Sequence, residues 1–358
     1  MPDTPAADIP PPLTVLMCVY DGEAYLREAI DSILGQSFRD FELLVVDDAS
    51  RDATPEILAS YRDPRLRVVR NEVNRKHTAS LNIGLRHVRG ALIAQHDADD
   101  RSHPSRLERQ VRFMEANPHV ALLGTGHRNI DRHGRLLRGV GAPRSAAAAA
   151  IRWQLLFGNP FSHSSVMFRR SIVVDELGGY DEHFLNIEDL ELWSRIGRRY
   201  AMTNLLEPLV DLRSHSESIT AHPSVAKCEL VRTVLRSNLI ATLGEGDYEA
   251  WLDFWMTANN PVTYGRIANI ERATTDLPRL RARFMERYPE AEGEPEVDRM
   301  TAALLAGVSS TVAGIDRAAA FATYRAAVRA DAATALRLMP RIAAKAVFGA
   351  IRRRRLRP

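Results

Sequence analysis

One stretch decides the fold: Ile93-Ala94-Gln95-His96-Asp97-Ala98-Asp99-Asp100. The apolar run from Ala91 to Ala94 indicates a buried β-strand, and three carboxylates follow it within four residues. Crowded carboxylates raise one another's pKa unless a positive group lies among them. A divalent cation such as Mg²⁺ or Mn²⁺ is the natural candidate, because it takes oxygen ligands and leaves positions open for substrate phosphates. A solvated acidic turn before the next helix is the other interpretation.

Upstream of this stretch, strand-like and helical patterns alternate. The pattern predicts strands over 13–20, 41–46 and 66–69, and helices over 23–34, from Thr54 onward and over 78–88. This alternation is typical of a doubly wound, mostly parallel sheet with flanking helices. Because ligands bind beyond the carboxyl ends of such strands, we expect three polar clusters to share one edge: residues 20–23, 47–48 and 97–100.

Downstream of Asp100, the elements are less regular. The pattern predicts a helix through Leu107 and Met114, strands over 120–124, 162–168 and 209–213, loops at Gly134 and over 139–143, and helices over 145–153 and 188–199. The composition changes at Ala221-His222-Pro223, after which the pattern is almost entirely helical. We therefore predict a disordered segment over 1–11, an α/β domain over 12–220 and an all-α C-terminal region over 221–358.

The composition excludes several classes of protein. A hydrophobic fraction of 45% and a charged fraction of 26% are ordinary for a globular protein, and a net charge of +3 does not describe a polycation. Two cysteines make no disulfide framework and favour a reducing compartment. The sequence lacks a signal-peptide core and an apolar run of the ~20 residues that a spanning helix needs. We expect a cytoplasmic protein.

The C-terminal tail is basic, and no acidic residue follows Asp331. A basic amphipathic helix over 337–358 would lie on an anionic membrane, peripherally at the inner face of the cell membrane. The alternative is a solvated terminus. A nucleic-acid-binding function for this tail would leave the carboxylate clusters unexplained, because they repel phosphates.

Seven motifs, in order, resemble those of family 2 glycosyltransferases. They are Val15–Glu23, Leu43–Ser50, His96–Asp100, Asn159–Arg170, Gly178–Asp181, Glu188–Trp193 and Arg213–His215. The resemblance covers residues 12–220 and implies a GT-A fold, Rossmann-like with a mostly parallel sheet. It also implies inverting transfer of a sugar from a nucleotide-sugar donor, expected to be UDP-linked. A glycan or lipid-linked acceptor in cell-surface polysaccharide synthesis is expected.

The resemblance gives each polar cluster a role. Asp48 accepts a hydrogen bond from the ring N–H of the nucleotide base, and four residues line the nucleotide pocket: Tyr20, Asp21, Glu23 and Asn82. Asp97 and Asp99 hold a divalent cation, Mn²⁺ or Mg²⁺, and the ribose–diphosphate end of the donor, with Asp99 as the direct ligand. Asp100 orients the loop. His215 lies near the diphosphate and the metal, although a surface histidine is an equally good interpretation.

Asp189 is the candidate general base, because inverting transfer needs one group that takes the proton of the acceptor hydroxyl. Glu188-Asp189 as a pair that only caps a helix is the alternative. Glu191 is expected to pair with Arg195, four residues on. His163 is either at the acceptor mouth or structural, and Lys76, where the family has glycine, suggests a reshaped loop.

Two other functions stay open at this point. A sugar-phosphate nucleotidyltransferase would carry a Gly-rich basic loop after the first strand, which residues 20–23 lack. A non-catalytic nucleotide-sugar-binding partner subunit is opposed by the intact Glu188-Asp189 pair.

Overall fold

The computed structural model describes residues 10–141, 145–215, 224–259, 268–269, 272–292, 294–312 and 317–339. The chain forms two compact units, one of Met1–Ala146 with Asn159–His222 and one of Ala147–Gly158 with Pro223–Pro358. The segment 147–158, which the sequence pattern placed in the first domain, therefore packs with the second unit. Residues 1–9 of the expected disordered segment and 340–358 of the basic tail lie outside the described residues.

The first unit contains one mixed sheet. Its strands are β1 (Leu13–Val19), β2 (Phe41–Asp47), β3 (Leu66–Arg70), β4 (Leu92–Gln95), β5 (Arg101–Ser102), β6 (Val120–Ile130), β7 (Leu136–Gly141), β8 (Met167–Arg169) and β9 (Ala201–Arg213). The strand order is β3-β2-β1-β4-β8-β6-β9-β5, with β7 paired to β6. Strands β1 to β4 run parallel, and β8 joins β4 and β6 in antiparallel pairs.

Helices cover this sheet, which explains the composition of its central strands. The helices are α1 (Leu26–Leu34), α2 (Thr54–Ser60), α3 (His77–His87), α4 (Arg106–Ala116) and α6 (Glu188–Gly197). Every residue of β1 and β2 is buried, as expected of parallel strands with both faces covered. Leu16 is paired with Leu44 on one side and with Gln95 on the other. The carboxyl ends of β1, β2 and β4 therefore meet at one edge.

Several elements differ from the sequence prediction. The loop expected over 139–143 belongs in part to β7, which pairs with β6. The strand expected over 162–168 is a short helical turn, His163–Ser165, followed by β8. Strand β9 begins eight residues before the predicted 209, at Ala201, because it runs along the whole of β6. Pairing with β6 extends both β7 and β9, and pairing with β4 and β6 fixes β8; the local pattern does not contain these pairings.

The second unit is helical. It contains α5 (Ala148–Gln154), α7 (Val225–Leu243), α8 (Glu249–Asn259), α9 (Arg272–Arg287), α10 (Pro295–Val312) and α11 (Arg317–Ala330). Aromatic side chains fill its core, and Trp153 Nε1 donates to Thr301 Oγ1 at 3.0 Å, while Trp255 Nε1 donates to the carbonyl of Phe157 at 2.8 Å. A helix able to span a bilayer is not found among the residues that the structure describes.

Gly90 lets β4 begin against β1. Its N–H donates to Thr14 Oγ1 at 2.9 Å, and a Cβ at this position would lie 2.4 Å from Thr14 N and 2.6 Å from the carbonyl carbon of Leu13. These backbone atoms belong to a buried strand and cannot move aside.

We expect Gly90→Ala to lower the free energy of unfolding by about 1–3 kcal/mol, the usual range for overpacking. Urea unfolding followed by circular dichroism measures the change. The same substitution at Gly307 in α10, where a Cβ meets nothing within 4 Å, should instead raise stability by up to about 1 kcal/mol. Equal effects at the two positions would contradict the steric argument.

Candidate active site

The acidic loop after β4 carries three carboxylates with three different partners. Asp97 Oδ1 lies 2.8 Å from His163 Nδ1, and the Asp97 N–H donates to Ser164 Oγ at 2.7 Å. Burial raises the pKa of Asp97, but the charge and hydrogen bond of His163 outweigh it and hold that pKa well below its usual range. Burial lowers the pKa of His163, and Asp97 raises it to about 9 overall. At neutral pH the two side chains therefore form a charged pair.

Asp99 and Asp100 are both harder to ionise than Asp97. Asp99 Oδ2 lies 2.9 Å from His215 Nε2, and burial together with the charge of Asp97 raises the pKa of Asp99. Asp100 is buried and accepts the N–H of Arg213 at 2.8 Å. Burial and the neighbouring carboxylates raise the pKa of Asp100 well above its usual range. Asp100 therefore tethers the loop, while Asp97 and Asp99, with side chains 28% and 33% exposed, remain accessible.

Arg106 is fully buried and donates hydrogen bonds to residues beside the acidic loop. Arg106 Nη2 donates to the carbonyls of Gln95 at 2.9 Å and Val166 at 3.3 Å, and its Nε donates to Gln110 Oε1 at 2.9 Å. Burial lowers the pKa of Arg106 to about 9. His96, whose Nδ1 lies 3.3 Å from Arg106 Nη1, has a pKa lowered to about 3 by burial and by Arg106. His96 is therefore a neutral acceptor for this arginine.

A second arginine ties the end of β9 to the same loop. Arg213 Nε donates to the carbonyl of Asp99 at 2.8 Å, and its Nη2 pairs with Glu28 Oε2 at 2.6 Å. The guanidinium lies 4.6 Å from the ring centroid of Tyr25, and that ring lies 5.1 Å from the ring of His215. The structure thus brings His215 to Asp99, which the sequence left open.

Glu188 and Asp189 are the first two residues of α6, and their charges raise the pKa of His163. Asp189 Oδ2 accepts from Asn159 Nδ2 at 2.6 Å, and its Oδ1 accepts the N–H of Leu190 at 2.7 Å. Burial and the charge of Glu188 raise the pKa of Asp189 to about 6, against the opposing charge of His163. A carboxylate with this pKa can both hold and release a proton near neutral pH.

The rest of α6 holds this pair in place. Glu191 pairs with Arg195 at 2.8 Å, as predicted, and Arg195 also donates to the carbonyls of Leu177 and Gly179. Trp193 is fully buried, and its ring centroid lies 5.9 Å from that of Phe168. Trp193 therefore anchors the helix to the core.

Asp48 is buried at the end of β2, and the loop before α3 covers it. Its carboxylate accepts the N–H groups of Arg75 at 2.7 Å and Lys76 at 2.9 Å and the Nδ2 of Asn71 at 2.8 Å. Lys76 has φ 73° and ψ 161°, a conformation that glycine adopts and other residues rarely do. The expected reshaping of this loop is therefore not found in its backbone, since Lys76 itself takes a positive φ.

The predicted nucleotide-pocket residues differ in their contacts. Asp21 Oδ1 accepts the N–H of Arg51 at 2.8 Å, and Glu23 Oε2 accepts the N–H of Ala53 at 2.9 Å, so both join the ends of β1 and β2. Tyr20 is 47% exposed. Asn82 is used within the chain: its side chain donates to the carbonyl of Tyr180 and accepts the N–H of the same residue, both at 2.9 Å.

An open cleft of about 470 Å³ lies beside Asp48. Its lining comes from the segments after β2 and β3: Ala49, Ser50, Arg51, Arg70, Asn71, Glu72, Val73 and Asn74. The lining contains two cationic side chains, Arg51 and Arg70, and one acidic side chain, Glu72, and Arg70 pairs with Asp47 at 3.3 Å.

The acidic loop carries the donor types that a divalent cation needs, but among the described residues the predicted set of Asp97, Asp99 and His215 does not bring one ligand atom each within 4.8 Å of one another. Asp97 and Asp99 offer carboxylate oxygens, His215 offers an imidazole, and the two carboxylates are partly exposed, so an ion can reach them. His77 and His163 were not assigned to a metal from the sequence, but the structure brings both near Asp97. Their distance from it along the chain explains why the local sequence gave no signal.

Comparisons with known proteins agree with one another. A sequence model described as Glycosyl transferase family 2 matches residues 14–175. The EpsE protein of Bacillus subtilis, which carries the name of a glycosyltransferase, is 36% identical over 214 residues, covering 58% of this chain and 75% of that protein. The O-antigen biosynthesis glycosyltransferase WbnJ of Escherichia coli is 32% identical over 235 residues, covering 63% of this chain and 89% of that protein.

Two solved structures share the fold. S. aureus TarS 1–349 in complex with UDP-GlcNAc matches with a TM-score of 0.54 and 18% identity, covering 89% of this chain and 88% of that one. The mannosyltransferase PcManGT from Pyrobaculum calidifontis, in complex with GDP-Man and Mn²⁺, matches with a TM-score of 0.50 and 21% identity, covering 94% and 87%. The predicted fold class, a GT-A sheet with flanking helices and a C-terminal helical region, is confirmed.

The conformation of Lys76 generates a test. We expect Lys76→Gly to raise the free energy of unfolding by about 0.5–2 kcal/mol, because glycine relieves the backbone strain. The larger conformational entropy of glycine in the unfolded chain offsets part of this stabilisation. Lys76→Ala keeps a Cβ and should not stabilise the protein. Denaturant unfolding of both variants gives the comparison, and a similar stability for Gly and Ala would rule out backbone strain at this residue.

Proposed function

The chain belongs to glycosyltransferase family 2, and we propose that it transfers a sugar with inversion from a UDP-sugar to a glycan or lipid-linked acceptor in cell-surface polysaccharide synthesis. One observation carries the proposal. The charges of Asp97 and Asp189 both raise the pKa of the same imidazole, that of His163. Asp97 is accessible, and the pKa of Asp189 is itself raised to about 6. A base and a cation-binding group therefore share one site.

The proton transfer is assigned to Asp189. As the acceptor oxygen attacks the anomeric carbon, Asp189 takes the hydroxyl proton, the bond between that carbon and the diphosphate oxygen breaks, and the nucleoside diphosphate leaves. Asn159 and the Leu190 N–H fix the orientation of the carboxylate. Each carboxylate oxygen of Asp189 accepts one hydrogen bond from the described residues, which leaves a lone pair on each for the proton.

The cation is assigned to Asp99 and Asp97, with His215 beside them. When bound, a divalent cation neutralises the charge that develops on the leaving diphosphate. The Mn²⁺ and GDP-Man in PcManGT and the UDP-GlcNAc in TarS support this class of donor. Arg213 and Arg106 hold the loop that carries these ligands.

The choice of uridine rests on Asp48. A carboxylate offers about four lone-pair sites, and the chain already supplies three donors to Asp48. With the donors from the described residues counted, one acceptor site remains. The pairing edge of uracil presents a single ring N–H, whereas that of guanine presents two donor groups, so uracil matches Asp48 better. The Arg51 and Arg70 side chains line the cleft beside it.

WbnJ, which is named for O-antigen biosynthesis, supports a polysaccharide product. The contact of the basic tail with an anionic membrane stays a sequence prediction, because Arg341 and the arginines after it lie outside the described residues.

Donor binding tests the cation site. In a thermal-shift assay with Mn²⁺, UDP at ~100 times its dissociation constant should stabilise the protein by about 2.7 kcal/mol, and GDP should bind more weakly. Asp99→Asn should abolish the UDP effect, while Asp175→Asn, which removes a carboxylate 54% exposed at the surface, should keep it. Undiminished stabilisation by UDP in EDTA would remove the cation from the proposal.

Transfer itself tests the base. Asp189→Asn should lower turnover by roughly 10²–10⁴, the usual contribution of a positioned base, with donor affinity unchanged. In the wild type, kcat/KM should fall as the pH drops below about 6, because protonated Asp189 cannot accept a proton. If Asp189 were only a helix cap, asparagine would serve equally well. Turnover within a few-fold of wild type would redirect the search to Glu188 or His163.

The same variant has a stability signature that does not depend on finding the acceptor. The folded-state pKa of Asp189, about 6, lies above the unfolded value near 3.8, so the wild type is stabilised at low pH and loses that contribution as the pH rises through 6. As the pH rises from 4 to 7, the free energy of unfolding of Asp189→Asn should therefore increase by about 1–3 kcal/mol relative to that of the wild type. A difference independent of pH would contradict the raised pKa.

A further inference from the structure

Two histidines and an aspartate converge beside the proposed donor site. His77, Asp97 and His163 each offer one ligand atom, and these atoms lie within 4.8 Å of one another. They come from the first turn of α3, the loop after β4 and the turn before β8. Within the described ranges, no other set of three histidine, cysteine or acidic side chains meets this criterion.

The donor set selects a class of ion. Two imidazoles with one carboxylate are typical of zinc sites that keep a fourth position open. Imidazole ligands suit Zn²⁺, Ni²⁺ and Cu²⁺, whereas Mg²⁺ and Mn²⁺ prefer oxygen. This set therefore differs from the oxygen-rich pair of Asp97 and Asp99.

Glu188 supplies an independent observation. Its side chain is 8% exposed, and its Oε2 atom has no hydrogen-bond partner among the residues that the structure describes. Its other oxygen, Oε1, lies 3.7 Å from His77 Nε2. A buried carboxylate oxygen without a partner is unfavourable. Metal-bound histidines usually direct their second nitrogen to a carboxylate. If His77 binds the ion through Nδ1, its Nε2 faces Glu188, which can then take this role.

The cluster is accessible, and small movements would complete it. The side chains of His77, His163 and Asp97 are 26%, 12% and 28% exposed, so an ion can enter from solvent. Bonds of ~2.1 Å place the ligand atoms of a tetrahedral ion about 3.4 Å apart. His163 Nδ1 and Asp97 Oδ1 lie 2.8 Å apart as a hydrogen-bonded pair, so zinc must displace the proton between them and separate the two atoms by about 0.6 Å. His77 approaches by at most about 1.4 Å.

We propose that His77, Asp97 and His163 bind a transition-metal ion of the zinc class, with Glu188 orienting the His77 imidazole. The consequence for catalysis rests on the proposed function. Asp97 is shared with the donor site, so zinc bound here withdraws Asp97 from the sugar donor and inhibits transfer. The cluster is then an inhibitory metal site that overlaps the proposed donor site at Asp97.

Calorimetric titration of ZnCl₂ into the full-length, metal-free protein, with any affinity tag removed, tests the binding step without requiring an active enzyme. The wild type should bind one Zn²⁺ ion. His77→Ala should bind it at least about 100-fold more weakly, because a direct ligand is lost. Glu188→Gln, which removes an orienting partner, should weaken binding by about 10–100-fold. His87→Ala, an exposed histidine at the other end of α3, should leave the affinity unchanged.

Co²⁺ provides a second measurement. The wild type should give the intense visible absorption of tetrahedral Co²⁺, and His77→Ala should lose it while its circular dichroism stays that of the wild type. Unchanged zinc affinity in His77→Ala would overturn the proposal, as would a loss confined to His215→Ala, which would move the ion to Asp99. Failure to detect sugar transfer would affect only the proposed function, because the titration measures binding alone.

Discussion

The site depends on one constraint, the mutual repulsion of carboxylates held at one edge of the sheet. Asp97, Asp99, Asp100, Glu188 and Asp189 come from two distant segments, and each of the first three has a different partner. His163 lowers the pKa of Asp97. Burial and neighbouring carboxylates raise the pKa values of the other three aspartates, Asp99, Asp100 and Asp189. Environments that separate the pKa values of neighbouring groups also separate their chemical roles. Asp97 remains an anion at neutral pH, and Asp189 can exchange a proton near neutral pH.

Two buried arginines make this arrangement stable without neutralising it. Arg106 makes no salt bridge among the described residues and donates instead to carbonyls and neutral side chains. Arg213 contacts the acidic loop through the carbonyl of Asp99 and its own N–H, and it places its charge on Glu28. Both guanidinium groups therefore fix the backbone of the loop and leave the carboxylates of Asp97 and Asp99 for histidines or a ligand. Direct arginine–carboxylate pairs would have rigidified the loop equally, but they would have occupied the ligands.

The sequence predicts the parallel half of the sheet well, because β1, β2 and β4 are short apolar runs that end in polar clusters. The pairing of Glu191 with Arg195 was also predictable, since it needs only helical spacing. Contacts across long separations were not. Asp99 and His215 are 116 residues apart, and Asn82 and Tyr180 are 98 apart. The motif containing Asn82 indicated a ligand-binding residue, while the fold uses its amide to hold the Tyr180 backbone.

The remaining local rules are broken mainly at this edge of the sheet. Five described residues other than glycine have a positive φ, and four of them, Asp21, Ala49, Lys76 and Asn186, lie in the loops that follow β1, β2 and β3 or precede α6. Strained backbone persists only where surrounding contacts enforce it. At Lys76 the enforcing contact is with Asp48, whose carboxylate accepts hydrogen bonds from the N–H groups of Arg75 and Lys76. The strained loop therefore presents His77 to Glu188, a buried carboxylate whose Oε2 has no hydrogen-bond partner among the described residues.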